Sequence, residues 1–136
     1  MSITTSDDSG RKAVRKSWGN SVFSRLIGQW IEKIIARDPL LPPPELIREH
    51  SGDISPETFA AMGEEIVCHS LIREAGFSPS GRLLDIGCGC GKIARPLTRY
   101  LLPDGGYDGV DITHAAIDWC RKAYRRYPNF RFHLSN

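Results

Sequence analysis

The sequence predicts an α/β domain built on a short parallel sheet, in β-α-β-α-β order behind N-terminal helices. Two observations carry that prediction. Short apolar runs at 82–86, 107–112 and 130–134 alternate with helical patterns at 92–102 and 113–126, and such alternation implies parallel strands joined by right-handed crossovers. Between the first strand and its helix, Leu83-Leu84-Asp85-Ile86-Gly87-Cys88-Gly89-Cys90-Gly91 carries an acid and then three glycines at alternate positions. Glycine lets the chain turn sharply and lets a ligand come against the main chain. A helix start just beyond adds unpaired N–H groups and a partial positive charge. Such a turn suits a ligand that carries ribose and an anionic group.

The chain of 136 residues has room for one compact domain with a core. Its 40% hydrophobic and 25% charged residues are ordinary for a globular protein. The net charge of +2 points to no nucleic-acid partner. Arg11, Lys12, Arg15 and Lys16 read as a solvated tail, and Arg121, Lys122, Arg125 and Arg126 as a solvated helix face. The cysteines at 68, 88, 90 and 120 match no zinc spacing, so no metal site is expected. The first residues lack a secretory signal, and Asp7 and Asp8 argue against a mitochondrial presequence. Reduced thiols in a cytoplasmic protein are the expectation.

Residues 1–16 are polar and read as a disordered tail. Residues 17–54 read as an amphipathic helix and a proline-rich linker. In 17–37, Trp18, Val22, Phe23, Leu26, Ile27, Trp30, Ile31, Ile34 and Ile35 share one broad face. Arg25, Glu32, Lys33 and Arg37 inside the segment exclude a membrane span. A cap helix or a dimer contact, which would make a homo-oligomer, is favoured over a membrane surface. Asp38–Pro44 is predicted as a stiff extended linker, because proline ends the helix.

The domain proper is expected over 55–136. Ser55-Pro56 reads as an N-cap followed by proline at the first helical position. The helix buries Phe59, Met62, Ile66, Val67 and Leu71 and stops at Gly76. Gly63 inside it costs about 1 kcal/mol relative to alanine; it reads as a tolerated surface glycine, with a close approach to a neighbour as the alternative. Arg82–Ile86 is predicted as a buried strand, Lys92–Leu102 as a helix and Tyr107–Ile112 as the second strand. Thr113 caps a helix to about Arg126 with Ile117, Cys120, Ala123 and Tyr124 inward, and Phe130–Leu134 is the third strand.

Three readings compete for the glycine turn. A P-loop needs Gly, four residues, then Gly-Lys-Ser/Thr; Gly91-Lys92 is present, but Ile86 and Ile93 stand where Gly and the magnesium-binding hydroxyl are required. A dinucleotide fingerprint needs its third glycine at the place of Lys92, whose bulk would crowd a pyrophosphate. In the third, an acid ending strand one and then Gly87-x-Gly89-x-Gly91 resembles motif I of the class I S-adenosylmethionine-dependent methyltransferases. Tyr107-Asp108-Gly109-Val110-Asp111-Ile112 resembles the second strand of that family, with Asp111 twenty residues after Gly91. A nicotinamide enzyme would also place an acid there.

The resemblance implies a Rossmann-like parallel sheet, of which this chain holds the first three strands, and S-adenosylmethionine as cofactor. It implies that Asp85 holds the ammonium of the methionine portion, and that the backbone of Gly87, Cys88 and Gly89 runs beneath the methionine and ribose. Gly91 would let the helix begin against the strand, Asp111 would accept from the ribose hydroxyls, and Ile112 would press on the adenine. Asn136 stands near the place of an acid that meets the adenine amino group. Cys88 and Cys90 read as loop fillers. None of His50, His69, His114 and His133 is marked as a general base, and no catalytic residue is assigned. The expected reaction is methyl transfer to an unidentified small-molecule acceptor. Because the family continues through further strands, the chain reads as an N-terminal part of a methyltransferase whose first strand shows a bare edge. Two alternatives stand: a non-catalytic nucleoside-cofactor-binding module, and part of an NAD-dependent oxidoreductase.

Overall fold

Three strands, β1 (Arg82–Ile86), β2 (Gly106–Asp111) and β3 (Phe130–Leu134), pair in parallel in the order β1-β2-β3. The computed structural model describes residues 38–136; the expected tail at 1–16 and amphipathic helix at 17–37 lie outside the described residues. Four α-helices accompany the sheet in the described chain: α1 (Pro44–Ser51), α2 (Pro56–Glu65), α3 (Ala94–Leu97) and α4 (His114–Ala123). The predicted Rossmann-like α/β class is therefore the observed one.

Register explains which side chains make the core. Leu83 pairs with Tyr107 and Tyr107 with Phe130, while Asp85 pairs with Gly109 and Gly109 with Phe132, so these residues share one face. Tyr107, Phe130 and Phe132 are buried there. Ile117, Cys120 and Tyr124 of α4 and its C-terminal turn join them in one cluster. Tyr124 sits 5.0 Å from Phe132 and stacks on Phe130 at 5.8 Å, centroid to centroid, within the range of favourable aromatic pairs. The opposite face carries Arg82, Leu84, Ile86, Asp108, Arg131 and His133. Asp108 accepts from Arg82, Arg131 and His133 at 2.8–3.1 Å. Leu84 is 61% and Ile86 80% exposed. β1 was expected to be buried; instead only one of its faces is covered, since no helix among the described residues packs behind it.

The N-terminal part of the described chain also departs from expectation. Asp38–Pro44 is no extended linker. It makes a turn closed by Leu41 N–H donating to the Asp38 carbonyl, and it buries Leu40. Pro44 then opens α1, with Glu45 in its first turn and Ile47 fully buried. Two turns of helix are too short for apolar periodicity to show. Ile47 packs with Phe59, Cys90 and Ala116, which brings α1 over the glycine turn.

Ser55 caps α2 as predicted, its Oγ accepting from Thr58 N–H at 3.2 Å. Beyond α2 the chain continues as a π-helix over Ile66–Glu74. Met62, expected inside, is 41% exposed. Gly63 is buried instead, and a Cβ there would stand 2.3 Å from the Lys92 carbonyl oxygen. The close-approach reading of Gly63 is thus the correct one. The helix expected over Lys92–Leu102 is cut to α3, Ala94–Leu97. Pro96 has no N–H to donate. After it, Thr98, Arg99 and Tyr100 donate to carbonyls three residues back, and the Thr98 hydroxyl takes the Arg95 carbonyl at 2.7 Å. Those bonds tighten the last turn away from α geometry. α4 likewise ends at Ala123, short of Arg126.

One ion-pair cluster ties these pieces together. Arg95 is 9% exposed; it reaches Asp38 through Nε at 2.8 Å and Glu64 through Nη1 at 3.0 Å. It thereby links the 38–41 turn, α2 and α3. Breaking a buried pair by removing one partner leaves an uncompensated charge. We expect Arg95→Met to destabilise the protein by roughly 2–4 kcal/mol, read from urea unfolding. Gly63→Ala is expected to destabilise by about 1–3 kcal/mol, because overpacking against a backbone carbonyl outweighs the gain in helix propensity; a raised unfolding midpoint would contradict this.

Candidate cofactor-binding site

The turn after β1 is built from backbone that only glycine adopts readily. Gly87, Gly89 and Gly91 have φ of +84°, +50° and +86°, a region in which a Cβ is strained. Gly87 N–H and Cys88 N–H both donate to the Val110 carbonyl, at 2.8 and 3.1 Å, which hangs the turn on β2. Around Gly87 a Cβ would meet nothing within 4 Å, so its backbone is open to a ligand. Gly91 differs: a Cβ there would stand 2.9 Å from Tyr124 Oη. Its smallness serves packing against the C-terminal turn of α4.

Two carboxylates flank the turn. Asp111, at the end of β2, accepts from Gly89 N–H through Oδ2 at 2.8 Å and from Thr113 N–H through Oδ1 at 2.9 Å. Burial opposes its ionisation, but the Thr113 and Gly89 N–H groups, the Thr113 side chain and His50 together hold its carboxyl below the ordinary carboxylate range. Asp85, at the end of β1, accepts from the Tyr107 hydroxyl at 2.6 Å. Burial pushes its carboxyl above the ordinary range; the Tyr107 bond works against that shift, and the negative charge of Asp111 adds to it. Asp85, Gly87, Cys88 and Gly89 line a cavity of about 170 Å³, together with His50 and Lys92.

A family model described as a methyltransferase domain matches residues 83–136. Over that span the chain is similar to methyltransferase domains. Among solved structures, coclaurine N-methyltransferase bound to N-methylheliamine and SAH matches with a TM-score of 0.48 and 15% identity, covering 91% of this chain and 43% of that one. The chain therefore spans less than half the length of that structure.

Residues 83–136 hold groups that fit S-adenosylmethionine. The open main chain at Gly87 offers a cradle, and each Asp111 oxygen keeps a lone pair beyond its backbone bond. Ile112 is 77% exposed and leaves an apolar face at the end of β2. Asn136 is exposed past the end of β3. The sequence reading missed Tyr107 as the partner of Asp85. A tyrosine two residues ahead of the glycine that pairs with the acid was the available signal, since that spacing puts both on one face of adjacent strands. Thr113 stands at the N-cap of α4 as expected, though its side chain makes no capping bond; its N–H donates to the Asp111 carboxylate.

The cysteines of the turn are packing groups. Cys88, Cys90 and Cys120 are buried and Cys68 is exposed. Burial pushes the Cys88 thiol up to about 12 and the Cys90 thiol to about 11, and Cys120 is raised too. The Cys88 side chain turns inward, 2.9 Å from where a Cβ on Gly109 would stand, so it gives a ligand only its backbone. We expect an aromatic disulfide reagent at pH 8 to titrate Cys68 quickly in the native protein and the other three only after unfolding. Rapid reaction of Cys88 would show that the turn is not packed in this way.

Proposed function

We propose that this chain binds S-adenosylmethionine at the β1–α3 turn and serves in methyl transfer from its sulfonium to a small-molecule nucleophile. The observation that carries the reading is the pairing of an open glycine turn with Asp111, which is bonded to that turn and held ionised. Asp111 would accept from the ribose hydroxyls, Ile112 would press on the adenine, and Asp85 would take the ammonium. The backbone of Gly87, Cys88 and Gly89 would run beneath the cofactor. When bound, the cofactor supplies an electrophilic methyl on a good leaving group, so the residues around it contribute chiefly orientation and exclusion of water. Phe59, Ile66 and Ile93 form apolar walls beside the turn, and Lys92 is the one lysine or arginine lining the cavity.

Titration calorimetry with S-adenosylmethionine, S-adenosylhomocysteine and NAD tests the reading. Binding of NAD alone would overturn it in favour of the oxidoreductase alternative. Asp111→Ala is expected to lower affinity for S-adenosylhomocysteine by at least ~10-fold, as loss of charge-assisted hydrogen bonds does; unchanged affinity would remove Asp111 from the ribose. Affinity is also expected to fall as pH drops through the raised pKa of Asp85, since only the carboxylate attracts an ammonium. Tyr107→Phe removes a bond that favours that carboxylate, so the fall should move to higher pH.

A further inference from the structure

His50 stands on the last turn of α1, in a stretch whose sequence gave it no role. Its Cβ, Cγ and Nδ1 lie 3.5–3.7 Å from where a Cβ on Gly89 would be, so the ring lies across the glycine turn. Its Nε2 is the one buried side-chain nitrogen or oxygen among the described residues that has no hydrogen-bond partner. Such an atom is costly to leave unpaired, which points to a bond completed by a ligand. His50 lines the same cavity as Asp85. Lys92 lines it too, and its Nζ stands 5.5 Å from the ring centroid of Phe59, another wall of the cavity. One small cavity thus offers a carboxylate together with an imidazole donor and an ammonium. The complementary ligand group bears a positive and a negative charge on one carbon, as an α-amino acid does.

We propose that His50 Nε2, with Lys92, receives the α-carboxylate of the cofactor's amino-acid portion while Asp85 receives its ammonium; this rests on the S-adenosylmethionine reading above. A cavity of about 170 Å³ suits that portion of the ligand and not the whole nucleoside. His50 is then a specificity determinant. It distinguishes a complete amino-acid tail from one without its carboxylate, through an atom that is unpaired until the tail arrives.

The test compares S-adenosylhomocysteine with its decarboxylated analogue by titration calorimetry. The unmodified protein should bind S-adenosylhomocysteine more tightly. His50→Ala should weaken S-adenosylhomocysteine by roughly 10-fold, the loss of one hydrogen bond to a charged group, and leave the decarboxylated analogue within about 2-fold. Lys92→Met should show the same selective loss, which keeps the test available if His50→Ala fails to fold. Equal binding of both ligands by the unmodified protein, or equal weakening of both in the variants, would overturn the proposal and leave His50 as packing. Binding of neither ligand would instead overturn the S-adenosylmethionine reading, and this proposal with it.

Discussion

The hydrogen bond from Gly89 N–H to Asp111 Oδ2, 2.8 Å long, joins the turn after β1 to the end of β2, and the site depends on it. Parallel strands aligned by register bring their C-terminal ends to the same edge, but register alone does not shape the loops that leave them. Three residues at positive φ make the turn soft in isolation. A carboxylate that holds Gly89 with one oxygen and Thr113 with the other fixes both loops to one anchor. Because the acceptor is ionised, the bonds are stronger than those between neutral groups. The groups that would face the ribose are therefore set in place by the residue that would bind it.

Small residues then let the layers close around that anchor. Gly109 leaves space for Cys88 Sγ, so the turn settles directly on β2. Gly63 lets α2 pass against the Lys92 carbonyl, and Gly91 admits the Tyr124 hydroxyl, which donates to the Gly91 carbonyl at 3.3 Å. Arg95 completes the closure from the far side by pairing Asp38 and Glu64. Ordered packing around buried ions and glycines is intolerant of added volume. The short α3 fits the same logic: a helix that starts under α2 and meets Pro96 in its first turn has only four residues of α geometry.

The strands, the glycine turn and α4 were legible because their signals are local: alternating apolar runs, glycine spacing and helical periodicity. β3 was read to the residue, and β2 was displaced by one. What was not legible depends on contacts between distant segments. α1 is two turns long and its apolar residues, Leu46 and Ile47, are adjacent, so no period shows it. The exposure of Leu84 and Ile86 follows from which sheet face receives helices, which strand composition does not record. Gly63 shows the same limit, since only the fold brings the Lys92 carbonyl to it. In the site, Asp85, Asp111 and the glycines stood out by spacing. His50 and Tyr107 entered only when α1 and the strand register placed them.

The two acids of the site are the same chemical group in opposite states of comfort, and that difference suits them to different partners. Asp111 has a lowered pKa. Its stabilising contribution is present above the unfolded carboxylate pKa and is lost as pH falls through the folded one. Asp85 has a raised pKa, so its contribution is fully present below the unfolded value and is lost as pH rises through the folded one. At neutral pH the fold thus carries one satisfied carboxylate and one whose charge is held at a disadvantage. A satisfied carboxylate is suited to neutral hydroxyls, which need an acceptor and bring no charge. A disadvantaged one gains most from a cation, because a nearby positive charge removes the penalty that burial imposes. An ammonium beside Asp85 would relieve stress that the fold already contains, and hydroxyls at Asp111 would add bonds to an anchor already made. The sequence of acids along the β1 and β2 ends would therefore order the proposed ligand as well as bind it, with its cationic end over Asp85 and its sugar over Asp111.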